Sequence, residues 1–203
     1  MTAPARYLGL RERNKQRRID AILTAALQLL RKEPEQVLTV ERIATRAGVA
    51  PMTVFNLIGT REQLFRAMAD SALADLDLDG IRGRDAHDRA RRIVRQVVHV
   101  LHGDADVFRV LLSQWSYVGG SLEHDPTAVI IGCFREGVAS GSFAPGLDVQ
   151  KYGEVVSSGL VGAISQWTSG VLSDRRFLTR ALDVVDVAFA AAAADPGDRR
   201  SVP

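Results

Sequence analysis

The stretch TVERIATRAGVAPMTVFNLIGTREQL, residues 39–64, holds the densest set of residues whose types and spacing could do chemistry. Two short runs with helical apolar spacing flank Gly48, and Pro51 opens the second. The outward side of that second run would carry Pro51, Met52, Thr53, Phe55 and Asn56, a mix of apolar and amide groups that suits base edges in a major groove. Thr39, Thr53 and Arg61 stand where a hydroxyl or guanidinium can donate to phosphate. A second candidate is the pair His99 and His102, three apart on one expected helix and followed by Asp104 and Asp106. Such a pair could share a ligand or metal, while two histidines satisfying carbonyls near a helix end is the simpler reading. A third is the set Phe108, Leu112, Trp115, Phe134 and Trp167, bulky enough to line an apolar pocket and also of the kind that fills a dry core.

To hold the first set in place the chain needs a short helix on each side of a tight turn. Thr39 is the expected N-cap of a helix with the stripe Val40, Ile43, Ala44 and Ala47, and Gly48 closes it. Pro51 suits the first position of the next helix because its missing N–H would have no intrahelical partner there. That helix ends at Ile58, before Gly59, and Thr60-Arg61-Glu62-Gln63 reads as a capping box opening a longer one, which runs to Leu76 through Leu64, Phe65, Met68, Ala72 and Leu73. Upstream, Ile19, Ile22, Leu23, Ala26, Leu27 and Leu30 recur at three and four residues, which predicts an amphipathic helix over 14–32. Ile43, Ala44, Val49, Val54 and Ile58 are expected to pack the short helices, with Ala44 and Gly48 permitting close approach. This is the layout of a helix-turn-helix.

Residues 75–83, acidic and with two glycines, read as a junction, and helices are expected beyond it over 86–102, 104–116, 126–140, 149–169 and 174–194. No β-alternation bounded by hairpin turns appears, so the expected class is all-α. The expected organisation is a helix-turn-helix DNA-binding domain over 11–60, a connecting helix and junction over 61–80, and a helical ligand-binding and dimerisation domain over 81–195. The last two helices carry apolar residues on more than one face: Val155, Val156, Leu160, Val161, Ile164 and Trp167, then Phe177, Leu178, Leu182, Val184, Val185, Val187 and Phe189. One core takes one face of a helix, so the surplus predicts a partner surface, where Gly153, Ser157, Gly159 and Gly162 would let backbones approach.

Composition narrows the classes. The chain has 203 residues, 46% hydrophobic and 25% charged, enough for one sizeable core or two small ones. Its single Cys133 can close no intramolecular disulfide, no Cys/His group has zinc spacing, and no cofactor motif is present. The first fifteen residues lack a signal-peptide core and no apolar run nears the roughly 18 residues of a membrane span, so a cytoplasmic protein without a membrane partner is expected. Residues 1–70 carry twelve Lys and Arg against seven Asp and Glu, net +5; residues 71–203 carry fourteen against seventeen, net −3, which together make the chain's +2. The basic first third includes Arg6, Arg11, Arg13, Lys15, Arg17 and Arg18, which could form an arm into an adjacent minor groove.

The segment from Asn14 to Leu73 resembles the DNA-binding region of TetR/AcrR-family regulators, whose usual run is T-x-x-x-I-A-x-x-A-G-V-S-x-x-T-x-Y-x-x-F-x-x-K-x-x-L. Thr39, Ile43, Ala44, Ala47, Gly48, Val49, Thr53 and Leu64 match, and Arg61 stands in place of Lys. Ala50 replaces the usual Ser, removing a side-chain N-cap, and Phe55 stands where Tyr is common, removing one phosphate-directed hydroxyl. The resemblance implies a homodimer joined through the last two helices, a double-stranded DNA operator, and a small-molecule effector in the C-terminal domain: a non-enzymatic regulator, expected to be a repressor released by an apolar or aromatic ligand. The alternatives are a helical-bundle metal protein or enzyme built on His99 and His102, and a regulator that senses no small molecule.

Overall fold

The computed structural model describes residues 9–33, 38–74, 76–113 and 126–195. Among them are nine helices and no strand: α1 Leu10–Lys32, α2 Val40–Ala47, α3 Pro51–Ile58, α4 Arg61–Ala72, α5 Ala86–Gly103, α6 Ala105–Ser113, α7 Thr127–Ala139, α8 Val149–Thr168 and α9 Asp174–Ala194. They form two compact units, Met1–Ala72 and Leu73–Pro203.

In the first unit α1 buries Ile22, Leu23, Ala26, Leu27 and Leu30 and packs on α2, α3 and α4. It begins at Leu10, four residues before the expected start at residue 14, because Arg, Glu, Lys and Gln are good helix formers that leave no periodic mark. Arg11, Arg13, Lys15, Arg17 and Arg18 therefore sit on a helix rather than on an arm, and Arg6 lies outside the described residues. At the other end, α4 stops at Ala72, so Leu73 and Leu76 are buried but not helical; a turn closes from Leu76 N–H to the Leu73 carbonyl at 2.8 Å. The following Asp and Gly residues favour turns over helix.

The second unit is a bundle in which α8 packs on α6, α7 and α9, while α5 packs on α7 and α9. Asp85, Asp148 and Ser173 cap α5, α8 and α9 by accepting from backbone N–H groups three residues on. The expected helix over 104–116 is α6, starting at Ala105; Trp115, Ser116 and Tyr117 lie outside the described residues.

Two expected partner-facing glycines have intrachain reasons. A Cβ on Gly153 would meet Ile131 Cγ1 at 2.2 Å and one on Gly159 would meet Val184 Cγ1 at 2.6 Å, so these residues let α8 close on α7 and α9. Ser157 accepts from Thr127 at 2.7 Å. Only Gly162 of that group is both exposed and open, a Cβ there meeting nothing within 4 Å.

Candidate functional site

The helix-turn-helix is built by local chemistry. Thr39 Oγ1 accepts from Arg42 N–H at 3.3 Å and starts α2, which buries Ile43 and Ala44. At the far end Gly48 takes φ +69°, and two backbone bonds close the helix, Gly48 N–H to Thr45 O at 3.3 Å and Val49 N–H to Ala44 O at 3.0 Å. This pair is the Schellman pattern, which needs a left-handed residue at its centre. Close approach is not the reason for the glycine, since a Cβ there would touch nothing within 4 Å. The helix α3 starts at Pro51 behind extended Ala50, which supplies no side-chain cap.

At about 100° per residue, Pro51, Phe55, Met52 and Asn56 fall within an arc of roughly 140°, and all four are exposed. Met52 is 66% exposed and Phe55 47%, high for apolar side chains on a folded surface. Val54 is buried and Leu57 half-buried on the opposite side, while half-buried Ile58 borders the arc beside Pro51. Thr53 is half-buried at the edge of the arc, and Thr39 is half-buried with its hydroxyl oxygen already accepting, so its O–H remains to donate. Arg61 is exposed at the first position of α4, its guanidinium 5.0 Å from the ring centre of buried Phe65. The expected capping box anchors that position: Thr60 N–H donates to Gln63 Oε1 at 2.7 Å and Gln63 N–H to Thr60 Oγ1 at 3.2 Å. Two other arginines of the unit are held elsewhere, Arg42 by Glu33 and Arg46 by Gln28 Oε1 at 2.9 Å.

In the second unit Phe108, Leu112, Phe134 and Trp167 are all buried, and Trp115 lies outside the described residues. Phe134 and Trp167 have different ring partners. Phe134 lies 4.4 Å from Phe189, 5.9 Å from Phe143 and 5.6 Å from Tyr152 between centroids, while Trp167 stacks on Phe177 at 5.0 Å under the Arg109 guanidinium. Trp167 Nε1–H donates to Asp174 Oδ1 at 2.8 Å, and that bond, with the nearby Arg109 and His102, holds the Asp174 carboxyl below its usual range despite some desolvation.

His99 is exposed, whereas His102 lies against Trp167 and Phe177, 5.7 Å from each, with its Nε2 buried and without a hydrogen-bond partner among the described residues. Among the described residues no group of three or more His, Cys, Asp or Glu is placed to hold a metal ion. Burial pushes the Cys133 thiol up to about 11, so it is protonated and a poor nucleophile at neutral pH.

Sequence spacing did not reveal a polar cleft of about 370 Å³ between α5 and α9. There Asp186 accepts from Arg91 and pairs with His87 Nε2 at 2.7 Å, and the His87 ring stacks on Phe189 at 4.9 Å. Burial pushes the Asp186 carboxyl up, and the bonds from Arg91 and His87 more than offset this, leaving it lowered. Three arginines and three aspartates line the cleft, so its formal charges balance.

Residues 22–68 match the sequence model of bacterial regulatory proteins of the tetR family. No curated protein matches the chain in sequence. Among solved structures, a TetR-family transcriptional regulator from Rhodococcus sp. is similar with a TM-score of 0.60 and 22% identity, over 85% of this chain and 99% of that one. The transcriptional regulator FadR from Bacillus subtilis, in complex with stearoyl-CoA, is similar with a TM-score of 0.59 and 18% identity over 84% and 97%. RolR in complex with resorcinol has a TM-score of 0.59 and 19% identity over 95% and 98%. At these identities the likeness is one of fold, an N-terminal helix-turn-helix domain followed by a C-terminal helical domain.

Proposed function

From the TetR-family DNA-binding region at residues 22–68, carried on a TetR-like fold, we propose that this transcriptional regulator is a homodimeric repressor that leaves its operator when a small apolar or aromatic molecule binds its second unit. The observation that carries the DNA-binding part is the face of α3, where Pro51, Met52, Phe55 and Asn56 are exposed together on a helix anchored by Val54 and by the Gly48 turn. Met52, Phe55 and Asn56 meet base edges, while Thr39, Thr53 and Arg61 donate to phosphates. No described helix is long and apolar enough to cross a membrane, which is compatible with access to DNA.

Two recognition helices about 34–36 Å apart enter successive major grooves, so a two-fold operator calls for a two-fold protein. The partner surface is supported by Val155 on α8 and Val187 on α9, which are 55% and 70% exposed although apolar. Val185, also counted in the apolar surplus, is instead fully buried and belongs to the chain's own core. An effector near Phe108, Leu112, Phe134 and Trp167 is supported by their apolar, aromatic character, and two proteins of similar fold are described with stearoyl-CoA and with resorcinol. The effector acts by favouring the dimer arrangement that does not fit the operator, and linkage makes the effect mutual, DNA weakening effector binding by the same factor.

The test is operator binding across a salt series, with a duplex selected from a random pool. A wild-type dimer shows a steep fall of affinity with salt. Arg61→Gln removes one phosphate contact per protomer, so the slope of log K against log salt becomes shallower by about 1.8 for the dimer, at about 0.9 per contact, without changing the preferred sequence. Salt-independent binding, or none to any selected duplex, ends the DNA-binding reading.

A further inference from the structure

The recognition face carries no charge. The eight residues of α3, PMTVFNLI, include no acidic and no basic side chain, and that restricts what the helix can read. In the major groove guanine presents two acceptors, O6 and N7, and is read best by Arg or Lys; cytosine presents the N4 donor, read by a carboxylate. Adenine presents a donor beside an acceptor, the complement of a side-chain amide, and thymine presents a methyl group, which favours an apolar contact. The exposed arc of α3 holds one amide, Asn56, and two large apolar side chains, Met52 and Phe55. Nearby cations have other contacts: Arg46 donates to Gln28, Arg42 to Glu33, and Arg61 lies over the Phe65 ring on the next helix.

We propose that α3 reads A·T base pairs, Asn56 hydrogen-bonding an adenine through N6 and N7 while Met52 and Phe55 pack on thymine C5-methyl groups. The inference rests on the DNA-binding reading and adds the chemical class of its target: half-sites whose α3-contacted positions are A·T. It also separates affinity from specificity. Phosphate contacts made by flanking groups weaken as salt rises, whereas an uncharged amide and apolar surface release no counterions. The ratio of affinities for the selected site and a G·C-substituted site is therefore nearly independent of salt, even as both affinities fall.

The experiment uses the full chain and a duplex selected from a random pool, with binding read by fluorescence anisotropy. Exchanging one contacted thymine for deoxyuridine removes only the methyl and weakens the wild type about three- to fivefold, the worth of roughly one buried methyl group. Met52→Ala or Phe55→Ala abolishes the sensitivity at the position each side chain covers. Exchanging the contacted adenine for 7-deazaadenine, or Asn56→Ala, costs about tenfold or more, and the two losses do not add. All three side chains are exposed, and an unchanged helical circular dichroism spectrum verifies that each variant is folded. Selected half-sites with G·C at the positions whose preference the α3 variants lose, or indifference to deoxyuridine and 7-deazaadenine alike, overturns this inference while leaving DNA binding intact. Absence of salt-sensitive binding to every duplex removes both.

Discussion

Gly48→Ala isolates the conformational term in the turn that aims α3. The native residue sits at φ +69° and ψ +32°, in the left-handed region, and a Cβ there has no neighbour within 4 Å, so the substitution adds no clash. What it adds is the intrinsic penalty of an L-residue in that conformation, about 1–2 kcal/mol. Part is returned because alanine restricts the unfolded chain more than glycine does, by about 0.4–1 kcal/mol. The net loss is about 1 kcal/mol, a roughly fivefold rise in the fraction of molecules with the turn open. Gly48→Asn is the control, since asparagine tolerates the left-handed region and loses only a few tenths of a kcal/mol. Native-state hydrogen exchange reads the effect where it acts, at the Gly48 and Val49 amides bonded to Thr45 O and Ala44 O. If Ala and Asn give equal opening free energies, or if Ala gives none of the loss, the turn does not depend on the left-handed conformation and the reasoning fails.

The proposed dimer surface is tested by Val155→Asp and Val187→Lys, made separately. Both sites are exposed in the single chain, so each variant folds, but a charge buried unpaired across the interface costs about 3–5 kcal/mol and shifts sedimentation from dimer to monomer. A wild-type monomer at micromolar concentration, or two variants as dimeric as the parent, refutes that surface. Asp174→Asn tests the Trp167–Asp174–Arg109 contact by its pH dependence. The native carboxyl is held below its ordinary value of 3.8, so its contribution is present above that pH and is lost as pH falls through the lowered folded value. The wild type is then more stable than the variant at pH 7 by less than about 1 kcal/mol, because the pair is solvent-screened, and the gap closes below pH 3.8; a gap that persists in acid contradicts the assignment.

What was legible in the chain was local. Thr39, Gly48, Pro51 and the Thr60–Gln63 box mark helix ends within a few residues of themselves, and the observed turns and caps use those groups. The charged start of α1 was not legible, since Leu10 to Arg13 adds only one apolar residue to the stripe. Nor was the contact of Asp186 with His87 and Arg91, whose partners are 99 and 95 residues apart and meet only through the register of α5 on α9. Of the residues expected to line an effector site, Phe134 and Trp167 face different aromatic partners, a distinction that depends on packing between helices rather than on spacing within one.

The same limit explains why an apolar surplus can be seen in a sequence but not assigned to a face. Val155 is 55% exposed and Val156 fully buried, although they are adjacent on α8; on α9 Val185 is fully buried and Val187 is 70% exposed. One helical step turns a side chain by about 100°, so neighbouring valines in one run point to different environments. Which of them looks inward is decided by the helices packed on either side, here by α7 and α9 closing on Gly153 and Gly159 of α8. Once those approaches are made, α8 can turn no further without driving a backbone or side chain into Ile131 or Val184. The exposed positions of Val155 and Val187 are thus consequences of the monomer's own packing, and a second chain that covers them has an apolar surface already held in place, with no rotation of either helix to offset against the area it buries.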